Sequence, residues 1–337
     1  MKYSITSAAP AKKFDFAAAT EALSDSFLKM GDAYEQIVAT EGQIAELETA
    51  LDNCNCAIQA IEKFGVSATT MAVFNGSNEL DRVLGLEDLD ISAIESLGQS
   101  VKKVRQEQYT AGLESKVGEY WQKFIAMLQR MWEAIKRWFK ELFDRNAKYA
   151  RIVKEAMDAK VFVKFSTTGK DKKYRLLSKD QILTAFAAID ELTKAANSVN
   201  FQNLAPTEPN ASVLEKAGFK LDGGKAVKAE KFAETFEKKE GTLAQLFGAN
   251  FDLNELGKKF VEVTAGGGIK NAAKNVEKMY ATLISNAKAA KDDAGKQAEC
   301  QRKKQELPKV QSYVAAYNTL VSLVGNTLVA CVNAASK

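Results

Sequence analysis

Histidine is missing from all 337 residues, and its absence limits what chemistry the other side chains can do. Without imidazole there is no Ser-His-Asp or Cys-His pairing, no usual zinc ligand and no ordinary sensor of mild acid. The soft ligands are Cys54, Cys56, Cys300 and Cys331. Cys54 and Cys56 fall on a predicted helix, where residues i and i+2 point to different faces, so the thiols read as small packed side chains in a reducing compartment rather than zinc ligands. Glu46 with Glu48, and Asp292 with Asp293, could hold a cation, but they lack an oxygen-ligand loop and read as solvated helix faces. Gly266-Gly267-Gly268-Ile269-Lys270 has the composition of a phosphate loop without the GxxxxGK[ST] spacing, and reads as a joint before a helix. No catalytic, cofactor-binding or metal-binding residue is expected, and the chain reads as non-enzymatic with no small-molecule substrate.

The chemistry that remains is recognition, and it concentrates in Tyr120–Arg151. On a helix, Trp121, Ile125, Leu128, Trp132, Ile135, Phe139 and Leu142 recur at alternating steps of four and three, the spacing of a seam that packs on a partner. Phe124, Met131, Trp138 and Phe143 widen that seam into an apolar face, with Lys123, Arg130, Lys136, Arg137 and Lys140 mostly outside it. Eight basic residues against three acids give this window a net +5, where the whole chain carries +4. Such a helix suits a lipid surface, a partner helix or a phosphate backbone, while its bland reading is the core of a helical domain. The expected interaction surface is Trp121, Phe124, Trp132, Lys136, Arg137, Trp138 and Lys140.

The elements that must position this face are helical as well. Only four prolines occur, so long helices can run uninterrupted. Phe14–Phe64 keeps the four-and-three rhythm through Leu23, Phe27, Met30, Tyr34, Ile37, Ile44, Leu51 and Ile58, and with ten acids against Lys29 and Lys63 its net charge is −8. Opposite potentials favour pairing this acidic helix with the basic one. Short helices are expected at Ser67–Phe74 and through the connector near Val83–Leu97. Val161–Phe165 alternates with period two and Tyr174–Leu177 can return, which predicts a small β-hairpin at 161–177. Ser178 with Gln181 has the form of a capping box opening a helix toward Asn197. Asn200–Asn210 carries Pro206 and Pro209 and reads as a linker.

The expected fold class is therefore mainly α, with long amphipathic helices in a bundle or coiled-coil arrangement and one small hairpin. The expected organisation is a flexible N-terminus at 1–13, a helical region at 14–158 holding both long helices, a hairpin plus helix at 159–200, a linker at 201–210 and a C-terminal helical region at 211–337. Val310–Ser336 is uncharged, but Asn318, Asn326 and other polar residues interrupt it, so it reads as a buried helix rather than a membrane span. The first residues show no apolar stretch of secretory length, so no signal peptide is expected.

With Leu51–Gly65 (LDNCNCAIQAIEKFG) and Thr110–Ala150 in view, the chain resembles internal head proteins of large tailed bacteriophages over roughly residues 15–165. The pattern is an acidic N-terminal helical region followed by a KxWxxIKxWFKxLF-type helix, here Met131–Phe143. The resemblance implies a structural virion protein packed beside the genome in the head interior, present in host cytoplasm during assembly. It also implies self-association or contact with the capsid or prohead core, with DNA as a further partner. No catalytic residue goes with it. Some such proteins are trimmed by a prohead protease at small-x-Glu sequences, which Ala19-Thr20-Glu21 and Ala39-Thr40-Glu41 fit, as do 33–35, 85–87, 93–95 and 112–114. The alternative is a membrane-active protein, for example one ejected from a virion to act at the host envelope, with its tryptophans at the lipid interface and Lys136, Arg137 and Lys140 on anionic headgroups.

Overall fold

The computed structural model describes residues 15–65, 99–168, 172–248, 252–265, 267–291 and 293–336. The expectations for residues 1–13, Ser67–Phe74 and Val83–Leu97 lie outside them. Helices dominate what is described, so the fold is mainly α. In chain order the elements are α1 Phe16–Phe64, α2 Gln99–Asp158, α3 Val161–Thr168, β1 Tyr174–Leu176, α4 Lys179–Asn197, β2 Val199–Asn200, β3 Ala205–Pro206, α5 Ala211–Lys216, β4 Phe219–Asp222 and β5 Lys225–Lys228. There follow α6 Phe232–Thr235, β6 Lys239–Gly241, α7 Leu243–Phe247, α8 Leu253–Ala265, α9 Gly267–Ala289, α10 Ala294–Lys304 and α11 Leu307–Ser336.

Two compact units are built from these elements, and they do not follow the sequential division expected above. Unit 1 comprises Met1–Gly31, Trp138–Val276 and Pro308–Lys337; unit 2 comprises Asp32–Arg137 and Glu277–Leu307. Composition marks turns and breaks along the chain, but long helices carry residues from one unit into the next without a break for composition to mark.

In unit 2, α1 and α2 run antiparallel. Gln106 donates its side-chain N–H to the Ile61 carbonyl at 3.0 Å, and Cys54, Ala57 and Ile61 bury themselves with Leu113, against partly buried Tyr109, Val117 and Tyr120. The buried face of α1 here is Ala33, Ile37, Ile44, Leu51, Cys54 and Ile61, close to the rhythm read from sequence, but Tyr34 is 46% exposed. The two long helices thus pair through an apolar seam. The cross-helix ion pair that α1 makes goes to α10, where Lys304 meets Glu48 at 2.9 Å with both side chains largely buried, whereas Lys136 pairs within its own helix with Glu133.

Unit 1 is organised around α11, the second part of α2, α4 and α8. Tyr149 stands edge-on to Phe260 at 6.1 Å, and Gly325 of α11 lies so close to both rings that an added Cβ would stand 2.8 Å from Tyr149 Cδ1. Among the described residues the sheet content is three antiparallel strand pairs, β1 with β6, β2 with β3 and β4 with β5.

Two expectations fail locally. Val161–Phe165 is helix rather than one arm of a hairpin: Phe162 and Phe165, three apart, are buried while Val163 is 49% exposed, which is the helical choice of face. Tyr174–Leu176 finds its partner in Lys239–Gly241, not in the preceding residues, and an isolated two-stranded hairpin would be marginal in any case. The segment 201–210 is no linker between domains. Val199–Asn200 pairs with Ala205–Pro206, Asn200 Oδ1 accepts from the Gln202 amide at 2.9 Å, and Leu204 is fully buried inside unit 1. Its Asn and Pro residues encode a tight turn.

Candidate interaction surface

The aromatic half of the expected surface is core. Trp121 is fully buried in unit 2, donates its indole N–H to the Ala287 carbonyl at 2.8 Å and stacks on the equally buried Phe124 with centroids 4.8 Å apart. Trp132 is half-buried and stacks on Tyr280 at 5.5 Å, while the Tyr280 hydroxyl reaches Met131 Sδ at 2.9 Å. Trp138 is 3% exposed in unit 1, tilted against Phe139 at 5.3 Å. Ala287 lies in the last turn of α9, where its carbonyl, which also accepts the Ala290 amide at 3.3 Å, has a lone pair left for the buried indole. The four-and-three seam is therefore a packing seam, with Trp121, Phe124 and Trp138 withdrawn from any partner outside the fold.

The cationic half is surface. Lys123, Arg130 and Arg137 recur every seven residues on the solvent side of α2 in unit 2, beside exposed Lys136, and Lys140 is exposed further along the same helix in unit 1. Lys136 Nζ sits 5.4 Å from the Trp132 ring centroid, a cation over a half-buried face. Lys116 at 3.0 Å and Lys123 at 2.7 Å both bond Glu119, and these two contacts hold its carboxyl down to about 2. All three are solvated, so the pairs add little to stability. Among the described residues, Arg130, Arg137 and Lys140 pair with no carboxylate, which leaves the stripe a positive potential.

Sequence reasoning missed a buried charge in unit 1. Arg145 is fully buried and donates to the Asn318 side chain, with Tyr149 under its guanidinium at 5.9 Å; burial pulls it below the usual arginine range. Tyr149 in turn donates to Asn326 Oδ1 at 2.6 Å, and Ser312 Oγ accepts from the Ala226 amide at 2.9 Å. The polar residues that break up the apolar C-terminal stretch are thus the ones that receive these partners, a signal the sequence did contain. α11 is long and apolar enough to cross a membrane, yet 67% of its most apolar stretch is buried in the fold.

Two grooves among the described residues are large enough to take small molecules. In unit 1 a cleft of about 1110 Å³ lies between α4, α8 and the start of α9, crossed by Lys259 and Asp190 at 3.8 Å. Gly268 is glycine there because an added Cβ would stand 2.6 Å from Thr193 Cγ2, so packing of α9 on α4 explains the residue without a phosphate. In unit 2 a cleft of about 1030 Å³ between α1, α2 and α10 is lined by Asn55, Cys56, Gln59, Glu62, Glu114 and Gln297. Among the described residues no group of three or more Cys, Asp or Glu could hold a metal ion.

Of the small-x-Glu sequences, 19–21, 33–35, 39–41 and 112–114 lie inside α1 or α2, with Ala33 and Leu113 buried; 85–87 and 93–95 lie outside the described residues. Proteolysis favours exposed loop tips, which the four helical matches are not. No family model, no curated protein and no solved structure matches this chain.

Proposed function

We propose that the chain is a non-enzymatic structural protein of a phage head interior, packed beside the genome and contacting itself, the capsid or core, and DNA. The resemblance of its two long helices to internal head proteins motivates the setting. The observation that carries the reading is the division of α2 into a buried aromatic face and an exposed cationic stripe of Lys123, Arg130, Lys136 and Arg137. A helix arranged in this way offers a rigid row of charge, suited to a phosphate backbone or an acidic protein, and offers a lipid little apolar surface.

Mass spectrometry of purified particles of the encoding phage tests the setting directly. Peptides of this chain are expected in DNA-filled heads, and their absence would overturn the reading. For the DNA contact, retardation of duplex DNA at low salt is expected, with a log–log salt slope of about −3 to −4 if all four cations meet phosphate. Reversing Arg130, Lys136 and Arg137 to Glu should abolish it.

The second reading, membrane activity, draws on the length and apolarity of α11. It requires that α11 or the tryptophans leave the core. Flotation of the native protein with anionic liposomes would favour it; failure to float, with a protease-resistant core, favours the packed form.

A further inference from the structure

We propose that the exposed face of α1 in unit 2 docks on a second copy of this chain, and that the surface it meets there is the basic stripe of α2. Opposite its buried seam, α1 leaves Tyr34 46% and Val38 51% exposed, one turn apart, among the largest apolar exposures in the molecule. Gly42 follows them one turn on along the same side, and an added Cβ there would meet nothing within 4 Å, so another helix could approach this backbone closely. Around this strip stand the exposed carboxylates of Asp32, Glu35, Glu46 and Asp52, and between Asp32 and Glu62 the helix has no basic residue.

Charge complementarity selects the occupant. Each copy carries this negative, partly apolar strip and also the positive stripe of Lys123, Arg130, Lys136 and Arg137. Copies of one chain therefore attract through unlike surfaces, while like strips repel, and the charges set the register while Tyr34 and Val38 supply the burial. If the acidic strip and the basic stripe engage reciprocally, the contact closes a two-fold dimer; if they do not, it closes a larger ring or grows into a chain.

The inference deepens the structural reading above by naming the surfaces, and it can fail separately. A chain that stays monomeric yet occurs in particles and retards DNA would sink the docking alone. Sedimentation velocity of the full chain, with reductant present, is the test. At low salt the mean mass is expected to rise with concentration above that of the monomer, and at high salt to return to it. Glu35→Lys with Glu46→Lys makes both surfaces positive, and Arg130→Glu with Arg137→Glu makes both negative. Each variant alone should be monomeric, and an equimolar mixture should assemble again. Tyr34→Ser with Val38→Ser should weaken assembly about tenfold. All these side chains are exposed, so circular dichroism and the melting temperature should stay unchanged, and the Glu35/Glu46 variant should still bind DNA. A wild-type chain that stays monomeric at every concentration overturns the proposal, because the α1 face then serves some other partner. Assembly that ignores the charge reversals, or variants that fail to recombine, overturns it equally.

Discussion

Trp121 combines a buried ring with a 2.8 Å hydrogen bond to the Ala287 carbonyl, so removing it has two separable costs. Trp121→Phe keeps most of the apolar volume and should cost about 1–3 kcal/mol, chiefly the lost bond. Trp121→Ala adds a cavity and should cost about 3–5 kcal/mol, as should Trp138→Ala, while half-buried Trp132→Ala should cost clearly less. Urea midpoints of the three alanine variants check the order, and Trp132 proving the most costly would contradict the packing described. Thiol reactivity gives a second residue-scale readout. Cys56 is exposed, while Cys54, Cys300 and Cys331 are buried with their thiols pushed up by desolvation, Cys331 to about 12. One thiol should react with a disulfide reagent in the native protein and all four after unfolding. Fast labelling of a second native thiol would show that a buried cysteine is open to solvent.

At the scale of elements, helical glycines separate packing from propensity. Gly325→Ala would improve the intrinsic preference of α11 by about 1 kcal/mol, yet its Cβ meets Tyr149 and Phe260 at 2.8–3.0 Å, and overpacking of about 1–3 kcal/mol should win. Gly42→Ala on α1 meets nothing and should stabilise by about 0.5–1 kcal/mol. Thermal unfolding of the two variants should shift in opposite directions, and a stabilised Gly325→Ala would mean that α11 can move off Tyr149. These contacts were not readable beforehand, because they depend on which helices meet. What was readable is local. The Ser178–Gln181 capping box is present as its residues specify, with Gln181 also donating to the Thr235 and Glu237 carbonyls. The long helices followed from apolar spacing, and so did much of the face that each buries, although Tyr34 of the expected α1 seam is exposed. The apolar alternation at Val161–Phe165 misled because period two and an i, i+3 pair both fit five residues, and only the distant strand at Lys239–Gly241 decides between them. Half of the candidate surface was legible for the same reason: spacing identified the aromatic face and the charges opposite it, but a sequence cannot tell a face that awaits a partner from one that its own chain has covered.

For the whole molecule, the titrating groups that folding perturbs lie mainly on the alkaline side. Burial raises the Tyr149 and Tyr317 hydroxyls and the Cys54, Cys300 and Cys331 thiols. A group whose pKa rises on folding contributes stability that is fully present below its unfolded value and is lost as pH climbs toward the folded one. The depressed carboxyls of Glu119, Asp293 and Glu299 act in the other direction, adding stability above their unfolded values that is lost on acidification, but they are solvated and carry little. With no histidine, the urea midpoint should be nearly flat across neutrality and fall above about pH 9, with a shallower acid limb. A steeper loss below about pH 5 than above pH 9 would contradict this. The order of segments has its own consequence for synthesis. Unit 2 joins Asp32–Arg137 to Glu277–Leu307 and unit 1 joins Trp138–Val276 to Pro308–Lys337, so in a nascent chain α1 and α2 wait for segments synthesised long after them. Until α9 has emerged, the side of α2 that bears Trp121 lacks the Ala287 carbonyl that receives its indole. During translation this protein therefore presents a sticky helix to chaperones and neighbouring chains, and its yield should depend on them more than that of a chain whose domains close one after another.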